Sequence, residues 1–184
     1  RSALMEAGQA CSGCGFSAPV VDGFRVWAPE LAHDAAGAFF DPAGFDALAA
    51  LEDANFWFQA RNELILWALE RYCGAPRRYA EIGCGTGYVL AAVERKLPEC
   101  EVLGSELFVH GLGFAARRCR RAELVQMDAR SMPYRGHFDA MGIFDVLEHI
   151  ERVLGHVRRL EQSAETAVQM HFSALGHRTN DIMR

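Results

Sequence analysis

No apolar run in this chain approaches the roughly 20 residues that would cross a bilayer as a helix. Nor is there a Lys/Arg block of the kind that grips a polyanion. The densest basic runs, Arg117, Arg118, Arg120, Arg121 and Arg158, Arg159, fall in helix-like segments, where a solvated face accounts for them. With a net charge of −5, neither a nucleic acid nor a membrane is an expected partner. The N-terminus begins at Arg1 and lacks the basic, apolar, small-residue order of a signal peptide, so a cytoplasmic chain is expected. The six cysteines are irregularly spaced and read as reduced thiols rather than a disulfide framework. Cys11 and Cys14 form a single C-x-x-C with no second pair. A structural zinc site needs four ligands, and adding His33 still leaves one missing, so no bound metal is expected. Internal repeats and low-complexity tracts are absent.

What is present suits one domain with a real core. The chain has 184 residues, 51% apolar and 23% charged. Residues 1–45 are loose in composition and read as an N-terminal extension. From Asp46 the sequence FDALAALEDANFWFQARNELILWALERYCG predicts one or two amphipathic helices, stopped by Gly74 and Pro76. Strands then alternate with helices. Strand 78–82 precedes a glycine loop and helix 88–96; strand 101–106 precedes helix 111–121. Strand 123–127 leads through a loop to strand 138–144, helix 148–162 follows, and 166–172 is a fifth strand. That alternation predicts an α/β fold: a Rossmann-like, doubly wound, mostly parallel sheet flanked by helices.

The segment RRYAEIGCGTGYVLAAVE places Gly83, Gly85 and Gly87 between a strand and a helix. Bare backbone at a helix start lets a ligand lie against the main chain, at the sheet edge where open α/β folds bind ligands. The register is G-x-G-x-G, so the third glycine of a dinucleotide loop is missing and Tyr88 stands in its place; no Lys-Ser/Thr follows, which excludes a P-loop. Glu81, two residues before the loop, repels phosphate and attracts a cation. Three more strand ends carry acids: Glu106, Asp128 and Asp145. Glu106 lies about 20 residues past the loop, where a carboxylate accepts ribose hydroxyls.

EIGCGTG, the acid of GSEL, QMDA and FDVLEH together resemble the successive motifs of class I S-adenosylmethionine-dependent methyltransferases, over roughly residues 46–172. The resemblance implies S-adenosylmethionine as cofactor. Glu81 and the loop Gly83, Cys84, Gly85 and Gly87 would hold its methionine part, Glu106 with Leu107 the ribose, Asp128 and Ala129 the adenine. Phe144 and Asp145 would line the sulfonium pocket. NFWFQARN resembles a helix that covers the cofactor in related enzymes, with Arg61 on the cofactor carboxylate; alternatively Phe56, Trp57 and Phe58 are core and Arg61 is a surface residue. The implied domain is 46–175, followed by a tail at 176–184.

Methyl transfer needs alignment and exclusion of water, and an oxygen or nitrogen acceptor needs a base. His149 is the candidate base; it equally suits a capping or packing role on the helix that follows. Asp145, Glu148 and His149, with His156 beyond, also resemble the divalent-metal motif of some O-methyltransferases, although Asp replaces Glu at its first position. The three-cysteine cluster of radical chemistry on this cofactor is absent. The family's basic-Pro-Gly-Gly turn is replaced by SAET, and the sequence ends before a sixth and seventh strand, so a C-terminally truncated sheet of about five strands is expected. The acceptor expected is a small molecule. Two other readings stand beside transfer: a non-catalytic protein that keeps the fold and cofactor, and, disfavoured by Glu81 and the loop register, an NAD(P)-dependent oxidoreductase.

Overall fold

Val20-Val21-Asp22-Gly23-Phe24-Arg25-Val26 sets an Asp-Gly turn between short β-branched runs, a strong hairpin signal. In the computed structural model, which describes residues 15–32, 44–144 and 146, this segment is indeed a hairpin. Strands β1 (Val20–Val21) and β2 (Phe24–Val26) pair antiparallel, with both turn residues at positive φ. The hairpin, which lies in the stretch read as an N-terminal extension, belongs to the sheet. β2 pairs parallel with β5 (Glu123–Gln126), Arg25 opposite Val125 and Val26 opposite Gln126.

The physical reason is Gln126, fully buried at that junction. Its Oε1 accepts from Ala28 N at 2.9 Å, and its Nε2 donates to Ala28 O and Leu107 O, each at 2.9 Å. An amide in the interior must find such partners, and here the hairpin supplies two of the three. Arg25 adds an ion pair to Glu123 at 3.2 Å.

The six strands among the described residues run in the order β1-β2-β5-β4-β3-β6, with β3 at Arg78–Ile82, β4 at Glu101–Glu106 and β6 at Ala140–Ile143. All pairs but the hairpin are parallel. The chain winds outward from β3 through β4 to β5, then returns to β6 on the other side of β3. The topological switch therefore lies between β3 and β6, at the crevice where such sheets take ligands. β5 and β6 are shorter than the sequence suggested; Phe138, expected to open β6, packs instead in a cluster with Trp27, Met132 and Tyr134.

The apolar segment after Asp46 resolves into two helices, α1 (Gly44–Glu52) and α2 (Phe56–Cys73). Asn55 caps α2 by accepting from Trp57 N at 2.9 Å, and Gly74 ends it at positive φ. α3 (Tyr88–Lys96) follows the glycine loop, and α4 (Val109–Arg118) follows β4, starting two residues earlier than the pattern implied.

Strand alternation divides the core. Tyr79 and Val102 face α2, α3 and α4, meeting Leu90, Val93, Leu112 and Ala115. Ala80, Ile82, Leu103 and Val125 face the loop carrying Met127, Met132 and Tyr134. No described helix is long and apolar enough to cross a membrane. The expected helix 148–162, strand 166–172 and tail 176–184 lie outside the described residues.

Candidate functional site

Register brings the strand-end acids to one edge. Glu81 pairs with Gly104 and Ile82 with Ser105, while Glu106 pairs with Gln126. Because partners across a parallel ladder share a face, Glu81 and Glu106 lie on the face covered by α2–α4. Both are buried. Asp128 lies two residues past the end of β5. The fourth acid, Asp145, is outside the described residues, as are Glu148, His149, His156, Cys11, Cys14 and His33.

Glu81 is the most strained of these groups. It is 2% exposed, and its Oε2 has no hydrogen-bond partner among the described residues. Burial lifts its pKa from 4.5 to about 8, with the Arg61 charge pulling the other way. Arg61 is half-buried, its guanidinium 5.4 Å from the Trp57 ring centre and 5.9 Å from that of Phe144. α2 thus delivers a cation to the edge where β3 and β6 end. Phe56 and Trp57 are 80% and 52% exposed, which rules out the core reading for those two; Phe58 is half-buried against Tyr88. Asn62, buried on the same helix, leaves its Oδ1 unpaired. These two orphans are acceptors, so a ligand bearing N–H donors suits them.

The loop's three glycines have different reasons. All sit at positive φ, in the region where a side chain is costly. At Gly83 a Cβ would lie 2.3 Å from Val146 Cγ2, and at Gly87 it would lie 2.8 Å from Ala115 Cα. Those two missing side chains make room for the chain's own neighbours, Val146 and Ala115. Gly85 alone has looser space, with the Phe45 ring at 3.8 Å. Cys84 turns inward: its thiol is buried, burial pushes its pKa well up, and its backbone N–H and C=O bond Ser105 O and Gly87 N.

Glu106 ties the loop to the next turn. Its Oε2 accepts from Gly85 N at 3.0 Å and its Oε1 from Leu107 N at 2.8 Å and Phe108 N at 3.3 Å. Burial raises its pKa against those three donors. A carboxylate offers about four lone-pair sites, so one on Oε2 remains for a ligand. Asp128 is engaged by Arg130, whose Nε and Nη2 donate to it at 2.8–3.0 Å and hold its pKa low. Ala129 packs into the loop-side core.

Four further residues complete the edge, three of them (Phe45, Glu52 and Thr86) not singled out in the sequence. Glu52 of α1, Thr86 of the loop and Arg118 of α4 form a largely buried cluster, which corrects the expectation of a solvated face for Arg118, and Phe45 of α1 packs on Gly85 and Gly111. Their sequence separations of 32 to 66 residues leave no local signal. A cavity of about 460 Å³ opens at the opposite, amino edge, beside Arg78, Cys100, Arg121 and His137. Its acids, Glu99, Glu101 and Glu123, lie at the amino ends of the strands, none of the acids at the carboxyl ends lines it, and we assign it no ligand. Among the described residues no cluster of His, Cys, Asp or Glu is arranged to hold a metal ion.

Residues 80–163 match a family model described as a methyltransferase domain. No curated protein matches the chain. Similar solved structures include SAM-bound CalS10, an amino pentose methyltransferase from Micromonospora echinaspora, at 22% identity and TM-score 0.45, covering 58% of this chain and 42% of that one. DesVI from Streptomyces venezuelae is 23% identical, with TM-score 0.46 and 57% and 43% of the two chains covered. Magnesium protoporphyrin IX methyltransferase from Synechocystis PCC 6803 is 18% identical, with TM-score 0.41 and 48% and 42% covered. The chain thus spans less than half the length of these proteins.

Proposed function

We propose that this chain, whose residues 80–163 carry a class I S-adenosylmethionine-dependent methyltransferase domain, binds S-adenosylmethionine where β3 and β4 end and transfers its methyl group to a small-molecule acceptor. Glu81 carries the reading. A buried carboxylate with an unpaired oxygen, beside an arginine at a topological switch, calls for a ligand that brings positive charge and N–H donors. The amino-acid end of S-adenosylmethionine has that chemistry, its ammonium suiting Glu81 and its carboxylate suiting Arg61. The lone-pair site left on Glu106 suits a ribose hydroxyl, with Leu107 beside it. A pyrophosphate brings neither positive charge nor N–H donors to the buried Glu81 carboxyl, which disfavours NAD(P).

When bound, the cofactor supplies a methyl group already activated on a sulfonium. The chain's own residues hold it, orient it and exclude water. Gly85 gives backbone access, Phe144 stands beside the switch, and Ala129 with Asp128 suits the adenine once Arg130 yields. Asp145 and the base His149 are assigned here from sequence alone, as is the domain span 46–175, to which the 20–26 hairpin adds a sheet edge. An acceptor of low charge fits a chain of net charge −5.

S-adenosylhomocysteine should raise the melting temperature and NAD(P) should not, since a ligand that binds only the folded state stabilises it. The reverse result overturns the reading. Labelled methyl transfer to a metabolite extract, abolished by His149→Ala, separates an enzyme from a binding protein. Cofactor binding without any transfer would establish the non-catalytic alternative.

A further inference from the structure

α1 lies on the site by one face. Phe45, Ala49 and Glu52 are spaced i, i+4, i+7, so they line one side of the helix. At one end the Phe45 ring, 3% exposed, sits 3.8 Å from where a Gly85 Cβ would be and 2.8 Å from where a Gly111 Cβ would be; Glu106 Cγ also borders that second position. At the other end Glu52, 4% exposed, accepts from Thr86 Oγ1 at 2.7 and 2.6 Å and pairs with the Arg118 guanidinium. Arg118 Nη1 also donates to Thr86 Oγ1 at 2.9 Å and Nη2 to Ala49 O at 3.2 Å. One guanidinium thereby fixes α1 against both α4 and the glycine loop.

Such a cluster is a poor way to gain stability alone. Desolvating two charges costs most of what their attraction returns, and apolar residues of equal size do as well or better. What a fork of directed donors adds is geometry. The geometry here packs the buried Phe45 ring behind Gly85 and beside Glu106 Cγ, so it backs both residues.

We propose that Arg118 is a positioning residue for the cofactor: acting through Glu52, it sets α1 so that Phe45 backs Gly85 and Glu106, the shelf on which the nucleoside rests. This rests on the reading that S-adenosylmethionine occupies that shelf. A purely structural cluster would change the melting temperature and leave the affinity of the folded protein alone.

The test is a double-mutant cycle read as the Kd of S-adenosylhomocysteine, by calorimetry on the full chain at a temperature where circular dichroism shows every variant folded. Arg118→Gln should weaken binding about tenfold, Arg118→Lys should recover part of that, and Phe45→Ala should weaken it comparably. In the Phe45→Ala background, Arg118→Gln should add little. If Arg118→Gln does not fold, Glu52→Gln, which keeps a hydrogen bond to Thr86 and loses the charge, takes its place. Unchanged affinity in the single variant, or an equal loss with and without Phe45, overturns the inference while the cofactor assignment stands. Failure of the wild-type chain to bind S-adenosylhomocysteine overturns both.

Discussion

Glu81 should make cofactor binding proton-linked. In the ligand-free protein its carboxyl titrates at about 8, so at pH 7 roughly nine molecules in ten hold the proton. An arriving ammonium favours the charged form, and the proton must leave. Binding at pH 7 should therefore release up to about 0.9 proton, and affinity should rise with pH by at most about tenfold per unit until pH 8, then level off. The same shift acts on the empty protein with the opposite sign. A raised carboxyl means the folded state binds the proton more tightly than the unfolded one. The stability this gives is fully present below about pH 4.5 and is lost as pH rises through about 8. The full excursion is on the order of 5 kcal/mol at most. The assay is calorimetric titration with S-adenosylhomocysteine in buffers of different ionisation heat, on wild type and Glu81→Gln. The variant keeps the ligand's own titration and lacks that of Glu81, so the difference isolates the residue. Equal proton release by both proteins, or none by the wild type, would refute the reasoning.

Three further outcomes are expected. Glu106→Gln places an amide N–H₂ against backbone donors; it should cost about 1–3 kcal/mol of stability and most of the cofactor affinity, checked by denaturant melts and ligand titration, and intact binding would sink the ribose assignment. Gly87→Ala forces a Cβ to within 2.8 Å of Ala115 Cα at a φ of 76° and should lose more than about 1 kcal/mol, read as a lower denaturant midpoint. Gln126→Leu strands the Ala28 amide and carbonyl and should speed amide exchange across residues 20–28 while leaving β3 protected; uniform exchange would mean that the hairpin is held by something else.

The central alternation was legible because parallel strands buried on both faces read as short apolar runs, and Gly74, Pro76, Gly87 and Pro98 mark where helices end or begin. RYAEI and EVLGSE fell where expected, and the acids at their ends could be assigned to one edge from chain direction alone. The N-terminal hairpin was passed over although its Asp-Gly turn was visible, because β1 and β2 are too short to show periodicity and their anchor, Gln126, is 98 residues away from Ala28. For Gly83 and Gly87 the packing reason was not legible: a sequence shows that a side chain is missing but not which neighbour fills the gap. The Glu52–Thr86–Arg118 cluster and Phe45 were invisible for the same reason, since only the folded chain brings α1, the loop and α4 together.

The hairpin at the sheet's flank has a consequence for how this architecture can grow. An outer strand of two residues offers too little unsatisfied main chain for a foreign segment to zip onto, and the Asp-Gly bend curls away at once. Lengthening the sheet on that border would require dismantling the Gln126 stitch. Among the described residues the sheet's other border is β6, so additions that leave the Gln126 stitch intact belong on that side of β3.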